Sequence, residues 1–484
     1  MIVDALKKHV DCAEDILSES VPLISFESEK WDLNLKGIDI VCKDGISVAF
    51  YEKIGNWLKG KEGRRLFFIE SNSSRLKNFA LDPKSLEILN NPCIRIFYME
   101  SPIQKDAIAK KIGWLSAFKE LLVIGDAWEP LIENYHIAAH AIASDAADFG
   151  VGVMRHLKLN FTKKLRSFAD LKGSMKGIPA VICGAGPSLE KNGHLLKEWG
   201  GKSLLIAAGS AIHVMDVRPD LAIAFDSHTP VLRKRYYDVP LCMQSRMHPD
   251  SLRSVTGEAL YFPETHYGFE SWLTGRESYL NTGWTAGTAG VALAAYLGCT
   301  EIILIGMDYC YRGEQKYANQ KKNVNASPLV KCKDDAGKDV WTQRDWLMAT
   351  KWLTEFAAAH PEISCMNATV GGMHISGFGP VNRTFQPVDA KIQKVIESAG
   401  FVSLDPDRMA EWTQSMKRCR REELTPIADN EIALELLLEP LWQIWAPLFE
   451  RELMADKKPI SLSEKMAIQK LLFFNQVIDE HLQA

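Results

Sequence analysis

The sequence has no closely spaced pair of cysteines. Its 10 cysteines are scattered along the chain, none of them in a C-x-x-C pair, and several fall in apolar runs of the kind that form core strands. This spacing argues against a zinc site and against a small disulfide-stabilised domain. We therefore expect reduced, buried thiols and a cytoplasmic protein.

Long apolar runs and an excess of charge are also absent. No uncharged run is long enough to span a bilayer, and the N-terminal stretch is amphipathic and acidic, without the apolar core of a signal peptide. The net charge is −4, which gives no bulk attraction to nucleic acid or to anionic lipid. The sequence therefore predicts a globular protein with no membrane span and no nucleic-acid partner.

The chain is long enough, at 484 residues, for two or three domains. Short apolar runs alternate with helical patterns at 1–155, which predicts a small N-terminal α/β domain. A basic stretch at 157–176 is predicted to form a linker helix. The alternation returns at 177–388, and the pattern at 389–484 is wholly helical. We predict an α/β fold with a central Rossmann-like parallel sheet, an N-terminal α/β domain and a helical C-terminal domain.

The central domain begins with a strand, a glycine turn and the start of a helix. The apolar run at 178–183 is followed by Gly184, Ala185, Gly186, Pro187 and Ser188. Glycine permits a close approach of the backbone, proline suits the first helical position, and serine is a common helix cap. Free amide groups in such a turn can bind an anion, so a phosphate site is one hypothesis. A tight turn without a ligand is the other, because the motif is neither a P-loop nor a complete G-x-G-x-x-G fingerprint.

Two further predicted strands end in polar or glycine residues. Asp226 and Ser227 follow the apolar run at 221–225, and Gly306 and Asp308 follow the run at 301–305. Ligands of open α/β sheets bind outside the carboxyl ends of the strands. The convergence of three such ends favours a ligand site, although each aspartate could instead cap the helix that follows it.

A lysine-rich stretch and a glycine-rich stretch lie beyond the last of these strands. Residues 319–339 are polar and lysine-rich, which predicts a mobile loop that can cover the site. A helix is predicted at 343–360. The glycine-rich loop at 371–379 contains His374.

Three segments together resemble the motility accessory factor family: GAGPSL at 184–189, NTGWTAGTAGVALAAYLGCTEIILIGMDY at 281–309, and GGMHISGF at 371–378. Those proteins are bacterial glycosyltransferases that attach nonulosonic acids, such as pseudaminic acid, to flagellin. The core at 177–385 is also similar to a bacterial sialyltransferase family and to archaeal 6-hydroxymethylpterin diphosphokinases. The predicted flanking domains fit the motility accessory factors better than the smaller kinase.

The resemblance implies a CMP-activated nonulosonic acid as donor and a Ser or Thr of a surface protein, such as flagellin, as acceptor. Catalysis is assigned to Asp308, Tyr317 and His374. The resemblance implies no firm cofactor, and it leaves open whether the protein forms a homo-oligomer. The donor-binding residues that it implies are Gly184, Ala185, Gly186, Pro187, Ser188, Asp226, Ser227, Thr282, Gly283 and Gly306.

One position departs from the family pattern. Members often have a histidine before an alanine after the G-x-D strand, and here Tyr317 stands before Ala318. The sialyltransferases use a histidine base before the next helix, and this chain has none between 317 and 344. Asp308 or His374 would then take the proton of the acceptor.

Two other functions stay open at this point. One is a diphosphokinase that uses ATP, with Mg²⁺ held by Asp226 and Asp308 because this hard cation prefers carboxylate oxygens. The other is a nucleotide-binding protein that keeps the fold without catalysis.

Overall fold

A computed structural model describes residues 2–18, 39–59, 63–117, 119–124, 128–149, 152–227, 230–263, 267–277, 280–318, 329–382, 384–388, 392–455 and 460–483. By their contacts these residues form two compact units. The first comprises Met1–Ala146 and Leu441–Phe473, and the second comprises Ala147–Pro440 and Phe474–Ala484. The domain boundaries at 155, 177 and 388 remain predictions.

The first unit contains a parallel sheet of four strands. Its strands and helices are α1 (Ile2–Lys7), α2 (Ala13–Ser18), β1 (Asp39–Lys43), α3 (Val48–Lys59), β2 (Arg65–Glu70), α4 (Ser73–Leu81), α5 (Ser85–Leu89), β3 (Ile94–Tyr98), α6 (Lys105–Leu115), β4 (Leu121–Ile124) and α7 (Glu129–Phe149). The strand order is β3-β2-β1-β4. Phe68 packs into an apolar cluster on one face of the sheet and Phe67 into a cluster on the other. Burial of both faces explains why these strands are continuous apolar runs in the sequence.

Buried, ion-paired side chains lie at one end of this sheet. Asp39, the first residue of β1, accepts a hydrogen bond from each of two terminal nitrogens of Arg451, both at 2.6 Å. Glu450 accepts from Arg65 at 2.8 Å and from Arg95 at 2.6 Å. Asp39, Arg65 and Arg451 are at most 4% exposed. Each of these charges therefore depends on its partner, because an unpaired buried ion is strongly destabilising.

Glu70, the last residue of β2, is fully buried. Burial raises the pKa of its carboxyl to about 7, against the opposing effects of the Asn72 amide and of Arg75. The folded chain therefore binds a proton at Glu70 more tightly than the unfolded chain does. The stability that this proton contributes is complete below pH about 4.5 and is lost as the pH rises through about 7.

We expect Glu70→Gln to remove this dependence on pH. Relative to the wild type, the variant should gain roughly 2 kcal/mol of unfolding free energy between about pH 5 and about pH 8. Urea unfolding at both pH values measures the gain. Glu52→Gln is the control, because Glu52 is half exposed and should leave the pH profile unchanged. Parallel profiles for Glu70→Gln and the wild type would contradict the expectation.

The second unit contains a sheet of ten strands and a separate hairpin. The strands are β5 (Leu165–Ser167), β6 (Ala180–Cys183), β7 (Leu204–Ala208), β8 (Leu221–Ala224), β9 (Leu241–Met243), β10 (Ala259–Tyr261), β11 (Glu301–Ile305), β12 (Val330–Lys333), β13 (Asp339–Thr342), β14 (Ser364–Asn367), β15 (Gly379–Pro380) and β16 (Phe401–Val402). The order in the large sheet is β15-β14-β11-β6-β7-β8-β9-β10-β5-β16. All pairs are parallel except β5 with β16.

Helices cover both faces of this sheet, and helices make up most of the C-terminal region. Those of the second unit are α8 (Val153–Asn160), α9 (Leu189–Asn192), α10 (Leu195–Trp199), α11 (Ala211–Val214), α12 (Pro249–Arg253), α13 (Gly268–Thr274), α14 (Ala286–Tyr296), α15 (Arg344–Ala359), α16 (Ile392–Ser398) and α17 (Pro406–Cys419). Two more helices follow, α18 (Glu439–Ala455) and α19 (Leu462–Gln483), of which the residues from Leu441 to Phe473 belong to the first unit. Among the described residues, no helix is long and apolar enough to cross a membrane. The predicted α/β fold class is confirmed.

Three local predictions are wrong. The linker helix expected at 157–176 ends at Asn160, and β5 follows it because its backbone pairs with β10. The predicted loop at 319–339 falls outside the described residues at 319–328. Its remainder begins the hairpin of β12 and β13, because Cys332 and Val340 pack against the apolar core. The C-terminal region is not wholly helical, since β16 pairs with β5.

The order of the strands places a crevice beside β6. From β6 the chain proceeds through β7, β8, β9 and β10 in one direction, and it then returns to β11 on the opposite side of β6. Such a reversal is the point at which open α/β sheets bind ligands, outside the carboxyl ends of the strands. The turn after β6 and the G-x-D segment after β11 therefore face each other at this point.

Candidate functional site

A cavity of about 390 Å³ lies at this reversal of strand order, where β6, β7, β8 and β11 end. It brings together most of the residues singled out from the sequence. Those that line it are Gly184, Ala185, Gly186, Asp226, Ser227, Gly306, Asp308 and Tyr317.

Gly184 and Gly186 are required by the close approach of the segment after β11. A Cβ atom on Gly184 would lie 2.4 Å from the Gly306 carbonyl oxygen. A Cβ atom on Gly186 would lie 2.1 Å from Asp308 Oδ2. These glycines therefore serve the contact between the two strand ends, and this contact accounts for the motif without a phosphate.

The turn also uses its amide groups within the chain. The Gly184 amide donates to the Ile305 carbonyl and the Gly186 amide to the Gly306 carbonyl, both at 2.8 Å. The Ser188 amide donates to Asp308 Oδ1 at 3.1 Å. A phosphate would have to compete for these donors, which weakens the case for a phosphate cradle here.

Asp308 is held in a buried network. Its Oδ2 accepts the Ser188 hydroxyl at 2.5 Å, and its Oδ1 lies 3.4 Å from Arg312 Nε. Ser188 lies at the cap position before α9, but its side chain makes no capping hydrogen bond because its hydroxyl donates to this carboxylate. Burial raises the pKa of Asp308, and the Ser188 hydrogen bond and the Arg312 charge oppose that rise. A carboxylate in this setting is a candidate proton acceptor.

The residue after Asp308 has a strained backbone. Tyr309 has φ of 51°, in the left-handed region that a bulky side chain rarely adopts. Its carbonyl accepts the Thr342 hydroxyl at 2.6 Å, and its own hydroxyl lies 3.4 Å from Thr285 Oγ1. Strain of this kind is concentrated at functional sites, where the surrounding structure holds it in place.

A second wall of the cavity carries a lysine between aromatic rings. Lys316 Nζ lies 5.4 Å from the ring centre of Tyr317 and 5.4 Å from that of Trp346. Asp345, at the start of α15, also lines the cavity. Burial lowers the pKa of Lys316 and raises those of Asp345 and Tyr317.

The ends of β8 and β9 form a third wall, with Asp226, Ser227 and Arg246. Ser227 is 3% exposed, and its hydroxyl has no hydrogen-bond partner among the described residues. Arg246 Nε donates to the Phe225 carbonyl at 3.4 Å. A buried hydroxyl without a protein partner in a cavity wall is available to bind a ligand or a water molecule.

The other predicted site residues lie away from the cavity lining. Pro187 and Ser188 belong to the turn but lie behind the lining, and Thr282 accepts a hydrogen bond from Thr288 at its carbonyl, 2.8 Å away, just before α14. Gly283 is packed against Thr288. His374 is exposed and lies 3.1 Å from Asp335.

Sequence reasoning did not assign several residues of the lining. Two features of the sequence could have identified some of them. Ser210 and Arg246 each follow the end of a strand, and Lys316 directly precedes Tyr317, which was assigned. Asp345 and Trp346 gave no such signal, because α15 reaches the cavity only through the fold. The unassigned polar and aromatic residues are Ser210, Phe225, Arg246, Thr285, Lys316, Asp345 and Trp346.

The donors of this cavity do not fit a protein-built magnesium site. Asp226 and Asp308 share the cavity, but the Asp308 oxygens already accept from Ser188 and face the cationic Arg312. Within the described ranges, no group of three or more His, Cys, Asp or Glu side chains is arranged to hold a metal ion. A neighbouring guanidinium disfavours a second cation at the same carboxylate.

The comparisons with known proteins agree with the motifs. Residues 155–314 match the model of a family described as 6-hydroxymethylpterin diphosphokinase MptE-like. The central region resembles that family. The MptE-like region includes the glycine turn, Asp226 and Asp308, and it contains all four of the strand ends that meet at the cavity.

A solved structure is similar over most of the chain. It is that of MAf glycosyltransferase from Magnetospirillum magneticum AMB-1, with a TM-score of 0.51 at 16% sequence identity. The similarity covers 92% of this chain and 74% of that chain. No curated protein matches the sequence. The predicted resemblance to motility accessory factors is confirmed at the level of the fold.

Proposed function

We propose that this protein is a glycosyltransferase that moves a nonulosonic acid from a CMP donor to a Ser or Thr hydroxyl of a surface protein such as flagellin. The observation that carries the proposal is the cavity at the strand reversal, with Asp308 and Tyr317 in its walls. Its volume of about 390 Å³ lies within the range of small-ligand sites. The similarity of the fold to a glycosyltransferase supports the same class of reaction.

In the proposed reaction, the acceptor oxygen attacks the anomeric carbon while the bond from that carbon to the phosphate oxygen breaks. Asp308 takes the proton of the acceptor hydroxyl, because burial makes its carboxylate a stronger base and Ser188 holds it in place. The Tyr317 hydroxyl donates to the phosphate oxygen on which negative charge develops. CMP then leaves.

Asp308 is the better placed of the two bases expected from the sequence. It lines the cavity, whereas His374 is exposed and bound to Asp335. We therefore assign no role to His374 in the proposed reaction.

A diphosphokinase is the second candidate, and the family match at 155–314 favours it. In that case ATP would occupy the cavity and transfer diphosphate to a pterin. The carboxylates offer no ready magnesium site, so we derive no metal-dependent step for this candidate.

Thermal-shift measurements and calorimetry with CMP, CDP, UDP and ATP, each with and without Mg²⁺, test the proposal. We expect CMP to stabilise the protein without metal, by about 2.7 kcal/mol at a hundredfold excess over Kd. The Asp308→Asn variant should bind CMP and lose sugar transfer. Stabilisation by ATP only with Mg²⁺ would favour the diphosphokinase, and no shift with any nucleotide would contradict both.

A further inference from the structure

Lys316 presents an ammonium group to the cavity, with the carboxylate of Asp345 as a charged neighbour in the same wall. It is half-buried and packs between the rings of Tyr317 and Trp346. Among the described residues, none accepts a hydrogen bond from its Nζ or forms an ion pair with it. Aromatic faces attract a cation but cannot accept all of its hydrogen bonds. The ammonium therefore favours an acceptor supplied from the cavity.

A second unmet donor faces the same cavity. The Ser227 hydroxyl is buried and has no partner in the described part of the chain. Ser227 and Lys316 line the same cavity, and Arg246 adds a second cation to that lining.

The glycine turn is less suited to an anion than these walls. Its amides at Gly184, Gly186 and Ser188 already donate within the chain. Asp308 lies directly beside the turn, pairs with Arg312 and already holds the Ser188 donors for which an anion would compete. Asp345 and Asp226 place negative charge on the other two walls as well, so it is the unengaged donors that distinguish those walls from the turn.

We propose that Lys316 binds the anionic group of the ligand, assisted by Arg246 and Ser227, and that the glycine turn does not. This inference rests on the proposed function, in which the ligand is a nucleotide-activated sugar acid. The anionic group is then a phosphate or a carboxylate. Asp308 then faces the acceptor hydroxyl, which must reach the anomeric carbon from the side away from the leaving phosphate.

Calorimetry with matched ligands tests the assignment. CMP and cytidine differ only in the phosphate, and free N-acetylneuraminate carries the carboxylate alone. The variants are Lys316→Met, Lys316→Arg and Ser227→Ala, with Lys338→Met as the control because Lys338 is exposed on the hairpin. If the phosphate is bound by Lys316, Lys316→Met should weaken CMP by about tenfold or more and leave cytidine unchanged. If the carboxylate is bound there, N-acetylneuraminate should lose affinity instead.

The other variants test the same assignment of the anion site. Lys316→Arg should restore most of the affinity, Ser227→Ala should lose less than Lys316→Met, and Lys338→Met should behave as the wild type. The inference is overturned if Lys316→Met binds both anions as the wild type does, or if it weakens CMP and cytidine equally, which would mark a packing role.

Binding of pyrophosphate distinguishes a failure of this inference from a failure of the proposed function. A wild type that binds no cytidine ligand contradicts the proposed function. Pyrophosphate binding that Lys316→Met abolishes would then still support the anion site. Failure of the wild type to bind pyrophosphate as well would overturn it.

Discussion

Replacing Gly186 with alanine is expected to destabilise the second unit by about 3 kcal/mol and to abolish ligand binding in the cavity. The new Cβ would lie 2.1 Å from Asp308 Oδ2 and 2.6 Å from the Gly306 carbonyl oxygen. The carboxylate cannot move away cheaply, because it is 2% exposed and held by Ser188 and Arg312. The variant must either overpack the turn or break this network, and both are unfavourable.

Urea unfolding gives the loss of stability, and calorimetry with CMP gives the loss of binding. Gly379→Ala is the matched control, since a Cβ there would meet nothing within 4 Å and the backbone has an ordinary φ. It should unfold within about 0.5 kcal/mol of the wild type. A Gly186→Ala variant as stable as this control would show that the contact with Asp308 is looser than the structure describes.

Replacing Asp39 with alanine is expected to destabilise the first unit by about 3–5 kcal/mol. Both terminal nitrogens of Arg451 donate to this carboxylate, and both side chains are almost completely buried. The substitution leaves a guanidinium in the interior without its counter-ion. Its remaining bonds, to the carbonyls of Gly63 and Leu115, do not neutralise the charge.

The double variant Asp39→Ala, Arg451→Met separates the two contributions. It removes the guanidinium that the single variant leaves unpaired, and it should therefore recover part of the lost free energy of unfolding. The effects of the two substitutions on that free energy should then not be additive. Arg418→Ala is the control, because the Arg418 side chain is half exposed in its ion pairs with Glu411 and Glu431, and its loss should cost at most about 1 kcal/mol. Equal losses for Asp39→Ala and Arg418→Ala in urea unfolding would contradict the expectation.

The main strands were predictable because burial on both faces leaves a local signature. In β6 and β11, alternate residues enter the two apolar clusters on opposite faces, so the strands are unbroken apolar runs. β5 and β16 have no recognisable sequence pattern, because strands of three and two residues are too short to show one. Their assignment depends on pairing with each other over more than two hundred residues of chain.

The candidate site was predictable to the extent that it consists of strand ends. Gly186, Asp226 and Asp308 could be placed together because the carboxyl ends of parallel strands share one edge of a sheet. The aspartate at 345 could not, because it reaches the cavity at the start of α15, with no strand of the large sheet directly before it. The lysine at 316 had only the assigned tyrosine beside it as a signal.

Short-range patterns in the sequence predict the fold class, the strand ends that meet and the need for glycine in the first turn. These patterns are apolar periodicity and residues that permit a close backbone approach. The folded chain alone shows what the glycines approach, which amides are already engaged and which cation faces the cavity. Those outcomes depend on contacts such as Ser188 with Asp308, between residues far apart in the chain, and no local pattern encodes them.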